Sequence, residues 1–90
     1  MTPTEMSREA ARICALAPVV PVLVVDHLGS AKNLAEALVA GGLPALEVTL
    51  RTAVALDAIR AMAEVAGAVV GAGTLLTPGD VKAARAAGAR

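Results

Sequence analysis

Three short apolar runs, Val19–Val25, Leu46–Leu50 and Ala68–Thr74, alternate with segments of helical spacing along these 90 residues. No other feature constrains the fold as much. Strands that all run the same way need a long connection between them, and a helix is the usual one. The first run is a near-continuous series of valines, the pattern of a strand covered on both faces. Pro21 lies inside it and cannot donate to a ladder, so regular pairing is expected only from Val22.

The intervening segments agree. An opening helix from about Thr4 to Leu16 would turn Met6, Ala10, Ile13 and Leu16 inward, and Pro18 ends it. Ser30 is placed to cap a second helix, Ala31 to about Ala40, with Leu34, Ala35 and Leu38 inward and Gly41-Gly42 as its stop. Thr52 is placed to cap a third, Ala53 to about Val65, on the stripe Leu56, Ile59, Met62 and Ala63. Its outer face carries Asp57, Arg60 and Glu64 at ion-pair spacing. "TPGD", Thr77–Asp80, opens a fourth helix that runs to about Ala87: a hydroxyl cap, a proline in the first position and an acid three residues after the cap. Gly88 is its stop.

The expected fold class is therefore α/β, with an N-terminal helix in residues 1–17 and three βα units in residues 18–90. Right-handed crossovers and a sequential strand order would put the crossover helices on one side of the sheet. A (β/α) barrel begins in this way, but eight such units need roughly 200 residues or more. The expectation is an incomplete barrel with open, adhesive strand edges.

Composition narrows the function. Phe, Tyr and Trp are absent and the eight acids balance the eight bases, so neither base stacking nor a phosphate-tracking stripe is available. A nucleic-acid partner is not expected. The single cysteine, Cys14, forms no internal disulfide and is expected to be a partly buried, inert thiol. The single histidine, His27, removes every multi-histidine metal motif, and no cofactor is called for. "ICALAPVVPVLVV", Ile13–Val25, has the length of a signal-peptide core behind Arg8 and Arg12, but two prolines interrupt it and Asp26-His27 follows. It is too short to span a bilayer. A buried strand in a cytoplasmic protein without a membrane partner is the expectation.

The polar residues of "LEVTLRT", Leu46–Thr52, are harder to place. Glu47, Thr49 and Arg51 alternate along a strand and so share one face. A fully extended strand puts Glu47 and Arg51 about 13 Å apart, too far for a simple pair. A partly exposed edge with a solvated acid and base is the plain reading. Inward charges at the C-terminal end of a parallel strand would instead mark a ligand site. "GAGT", Gly71–Thr74, could open a dinucleotide fingerprint, but Leu76 stands where its third glycine belongs. A tight strand-to-loop turn, with Thr74 offering a hydroxyl, accounts for it better.

Together "APVVPVLVV", "ALVAGGLPALEVTLRT" and "AVVGAGTLL", in this order, resemble the N-terminal part of the bacterial 2-keto-3-deoxy-6-phosphogluconate (KDPG) and 4-hydroxy-2-oxoglutarate (KHG) aldolases, from Ala17 to Arg90. The resemblance implies a (β/α)8 barrel, trimeric in the family. It also implies metal-free class I cleavage of a 2-keto acid through a lysine Schiff base. KDPG would give pyruvate and glyceraldehyde 3-phosphate, the aldol step of the Entner-Doudoroff pathway, and KHG would give pyruvate and glyoxylate. It further implies that Glu47 is the general acid/base, that Arg51 holds the pyruvate carboxylate and that Thr74 lies at the same end. The family's Schiff-base lysine has no counterpart in this chain: Lys32 and Lys82 fall on expected helices among solvated neighbours. The phosphate-binding glycine turns of the later barrel have none either. The chain alone is therefore expected to be inactive, or to be a non-catalytic fragment held by self-association or a complementary chain.

Overall fold

The computed structural model describes residues 2–90. Its elements are α1 (Pro3–Cys14), β1 (Val22–Leu23), α2 (Ala31–Ala40), β2 (Ala45–Thr49), α3 (Ala55–Ala63), β3 (Val69–Gly73) and α4 (Pro78–Ala87), with a single 3₁₀ turn at Leu28–Ser30 before α2. The strands form one parallel sheet in the order β1-β2-β3. Val22 pairs with Glu47, and Ala45 to Thr49 pair in sequence with Val69 to Gly73. Glu47 N–H donates to the Pro21 carbonyl, so the proline takes part as an acceptor while the regular ladder starts after it.

One face of the sheet holds the core. Leu46 and Val48 of β2 and Val70 of β3 cluster with Ala31 and Ala35 of α2, with Ala55, Ala58, Ile59 and Met62 of α3, and with Ala87 of α4. The three crossover helices thus share that face, and their alanines let the helix axes come close to the strands. Leu46, Ile59, Met62, Val48 and Val70 are its largest fully buried side chains. Glu47, two-residue alternation apart, projects to the opposite face.

Several expectations are corrected. The first strand is two residues long, and its run is not covered on both faces: Val22 is 61% exposed and Val24 is exposed as well, while Leu23 packs against the core and Val25 lies in it. β1 has a neighbour on one side alone, and the three crossover helices cover one face. α1 ends at Cys14 and buries no residue, so Met6 and Leu16 are exposed and the amphipathic stripe has no deep partner. Cys14 is exposed, not partly buried. Leu34 is also exposed, and the α2 contacts are made by Ala31 and Ala35.

Both central caps differ for the same reason, a competing carbonyl. Ser30 occupies the cap position of α2, but its hydroxyl donates to the His27 carbonyl at 2.9 Å. Thr52 does not cap α3, which starts at Ala55 behind Val54; its hydroxyl donates to the Val25 carbonyl. α4 keeps the expected start: Thr77 Oγ1 accepts from Asp80 N–H, and the Asp80 carboxylate accepts from Thr77 N–H. Gly88 ends it at φ 113°, a left-handed conformation that glycine adopts without steric cost.

α1 is tied to the sheet by charge. Glu9 accepts from Arg12 at 2.7 Å and from Arg90 at 3.1 Å, while Arg90 N–H donates to the Val70 carbonyl on β3. The Arg12 hydrogen bond holds the Glu9 carboxyl below its ordinary value. Between α1 and the sheet lies a cleft of about 230 Å³, lined in part by Ile13, Cys14, Ala45, Glu47, Val69 and Arg90. No described helix is long and apolar enough to cross a membrane.

Candidate active site

Parallel strands deliver their C-terminal ends to one side of the sheet, and the polar residues of β2 and β3 gather there. Glu47 lies in the middle of β2, half-buried, on the face opposite the core. Its register partner on β3 is Gly71, yet its side chain leans along the strand until the carboxylate rests against Gly73. Thr49 shares that face and is buried; its hydroxyl donates to the Leu23 carbonyl at 3.3 Å, which ties β2 to β1. Thr49 and Thr52 thus both spend their hydroxyls on carbonyls of the β1 segment, a structural role that spacing did not reveal.

Arg51 is not a strand residue. β2 ends at Thr49, and Arg51 stands exposed in the turn that follows. From there Nε donates to Thr74 Oγ1 over 3.4 Å, a long contact that brings the two side chains together across 23 positions. Thr74 follows the last residue of β3 at φ 58°, and among the described residues it is the one non-glycine with positive φ. That conformation crowds a branched Cβ, at a cost of roughly 1–2 kcal/mol. Strain of this kind persists where surrounding contacts hold it, and it gathers at ligand sites. Gly71 and Gly73 lie within β3, not in a turn; the chain turns only at Thr74.

The ion pairs among the described residues are Glu9–Arg12, Glu9–Arg90 and Asp57–Arg60. Glu47 and Arg51 are therefore not partners of each other. The guanidinium and the hydroxyl meet beyond the strand ends, the acid rests on Gly73, the residue before Thr74, and among the described residues no carboxylate pairs with the guanidinium. Such a fork suits a planar anionic ligand such as a carboxylate. Lys32 and Lys82 are both exposed, on α2 and α4, and neither belongs to an element of this face. Among the described residues no three His, Cys, Asp or Glu side chains are grouped to hold a metal ion.

The family model for KDPG and KHG aldolase matches residues 10–90. The chain belongs to the KDPG and KHG aldolase family. It is 57% identical over 81 residues to the 2-dehydro-3-deoxy-phosphogluconate aldolase of Zymomonas mobilis, a match covering 90% of this chain and 39% of that protein. The chain thus spans about two fifths of the length of that relative. The solved KDPG aldolase of Zymomonas mobilis ZM4, with 3-phosphoglycerate, superposes with a TM-score of 0.88 at 56% identity, over 91% of this chain and 39% of the other. The KDPG aldolase of Legionella pneumophila, with pyruvate captured as a covalent carbinolamine intermediate, superposes with a TM-score of 0.80 at 48% identity, over 87% and 38%. The three-stranded parallel sheet with its four helices is thus an α/β fold shared with the solved KDPG aldolases.

Proposed function

We propose that this chain supplies the first three βα units of a class I aldolase barrel, with residues 1–17 as a leading helix. Its substrate would be a small 2-keto acid of the KDPG or KHG type, and its site Glu47, Arg51 and Thr74. The observation that carries the reading is the contact of Arg51 with Thr74 just beyond Gly73, the residue against which the Glu47 carboxylate rests. Arg51 and Thr74 would hold the pyruvate carboxylate. Cleavage of the C3–C4 bond requires a proton to leave the C4 hydroxyl and one to reach C3, and Glu47 would act as that acid/base. The amine that would form the Schiff base is not among the residues of this chain, so these 90 residues alone are proposed to be inactive. No metal or cofactor enters the proposal, and the compartment would be the cytoplasm.

Borohydride trapping tests the division of labour. The 90-residue chain incubated with pyruvate and borohydride is expected to keep its mass. A covalent adduct on Lys32 or Lys82 would overturn the claim that the nucleophile lies elsewhere. A joined barrel, in which residues 1–90 are followed by the part of the Zymomonas relative beyond the matched segment, is expected to form the adduct and to cleave KDPG.

A second, non-catalytic reading is favoured by one observation, the exposure of Val22 and Val24 beside an unpaired β1 edge. Open parallel edges with apolar neighbours associate. Self-association, or pairing with a chain that completes the barrel, would cover them, and the trimer of the family is the assembly expected once the barrel is whole. Sedimentation of the 90-residue chain is expected to show oligomers; a folded monomer at high concentration would sink this reading.

A further inference from the structure

We propose that Gly73 is a positioning residue that seats the Glu47 carboxylate, an inference that rests on the acid/base role proposed for Glu47. In the ladder Glu47 faces Gly71, yet its carboxylate lies over Gly73, two residues further toward the C-terminal end of β3. One pleat repeat along a strand is about 6.6 Å, so the lean moves the acid toward the strand ends where Arg51 and Thr74 meet. A Cβ at Gly73 would stand 3.1 Å from Cδ and 3.3 Å from Cγ of Glu47, with Oε1 closer still. A carboxylate in its present place and any side chain at position 73 exclude each other.

The need for glycine is spatial, not conformational. The glycines with positive φ are Gly42, Gly67 and Gly88, and Gly73 is not among them, so its backbone is one that any residue adopts. Gly71 provides the internal contrast. It lies on the same face of the same strand, but a Cβ there would meet nothing nearer than the Arg90 and Leu46 carbonyl oxygens, both at the ordinary distance of 3.8 Å. The atoms that a Cβ at Gly73 would displace belong to the far end of a flexible side chain. An alanine there moves the acid and leaves the fold in place.

The test uses the joined barrel carrying Gly73→Ala, Gly71→Ala, Glu47→Gln, and the double variant Glu47→Gln/Gly73→Ala. Gly73→Ala is expected to lower kcat about 100-fold, the cost of misplacing a reacting group by an ångström or so, with KM and Tm close to the parent. Gly71→Ala is expected to keep the parent kcat. In the Glu47→Gln background, Gly73→Ala is expected to cause no further loss, because both changes remove the same function. A full kcat for Gly73→Ala would overturn the proposal, as would a loss of equal size in the Glu47→Gln background, the mark of a merely structural glycine. The acid/base reading fails separately, through a Glu47→Gln variant that keeps its kcat. Should the alanine variants not fold, nuclear Overhauser contacts in the unsubstituted 90-residue chain decide: a contact between the Glu47 γ-methylene and the Gly73 α-protons supports the seat, and its absence overturns it.

Discussion

Glu47→Gln in the joined barrel is expected to lower kcat by roughly a hundred- to ten-thousand-fold, the usual contribution of a positioned acid/base. Glutamine keeps the length and shape of the side chain that rests against Gly73, so the substitution removes proton transfer without opening the site. It also leaves Arg51 and Thr74 in contact, since neither pairs with Glu47. KM is therefore expected to stay within a few-fold of the parent, the signature of an interaction made in the transition state alone. Steady-state kinetics with KDPG and with KHG measure both parameters. A kcat within tenfold of the parent on both substrates would remove Glu47 from the mechanism.

The second large effect concerns stability. Ile59→Ala is expected to cost about 2–5 kcal/mol, the range for deleting a large buried aliphatic side chain. Ile59 is fully buried on α3 and belongs to the one cluster that joins β2 and β3 to the three crossover helices. That cluster is rich in alanine, each of which buries little, so Ile59 and four other large side chains carry much of the burial. Against a total of about 5–15 kcal/mol for an ordinary domain, such a loss is a large fraction. Urea unfolding followed by circular dichroism reads it as a lower midpoint at unchanged slope. Val81→Ala, on the exposed side of α4, is the control and is expected to change stability by no more than about 0.5 kcal/mol. Equal midpoints for the two variants would show that the cluster around Ile59 is not the core.

How much of this could be read from the residues follows from the range of the interactions involved. The βα alternation, the parallel sheet and the start and stop of α4 depend on neighbours in sequence, and Thr77, Pro78, Asp80 and Gly88 announce them locally. Ser30 and Thr52 carry the same kind of signal, but their hydroxyls are taken by other carbonyls, and for Thr52 the carbonyl is that of Val25, just past β1 and 27 positions away. The start of β1 was legible through Pro21, whereas its end at Leu23 was not, and the exposure of Val22 depends on which faces the helices reach. Glu47, Arg51 and Thr74 stood out as polar residues at strand ends. That Arg51 reaches Thr74 from a turn, not from the strand, and that Glu47 leans onto Gly73 are matters of side-chain direction. Strand periodicity says nothing of either. A glycine two places beyond the register partner of an acid is the signal to look for in related barrels.

The strictly sequential strand order has a consequence for how the chain acquires its structure. Each strand pairs with the one before it, between residues about 25 positions apart, at both steps of the sheet. The chain entropy lost in closing such a loop grows only with the logarithm of its length, so the two closures carry nearly equal cost and neither must wait for the other. As the polypeptide leaves the ribosome, β2 and its helix have a docked predecessor to join, and β3 then meets the same situation. Among these three strands, assembly can thus advance from the N-terminus one strand–helix unit at a time.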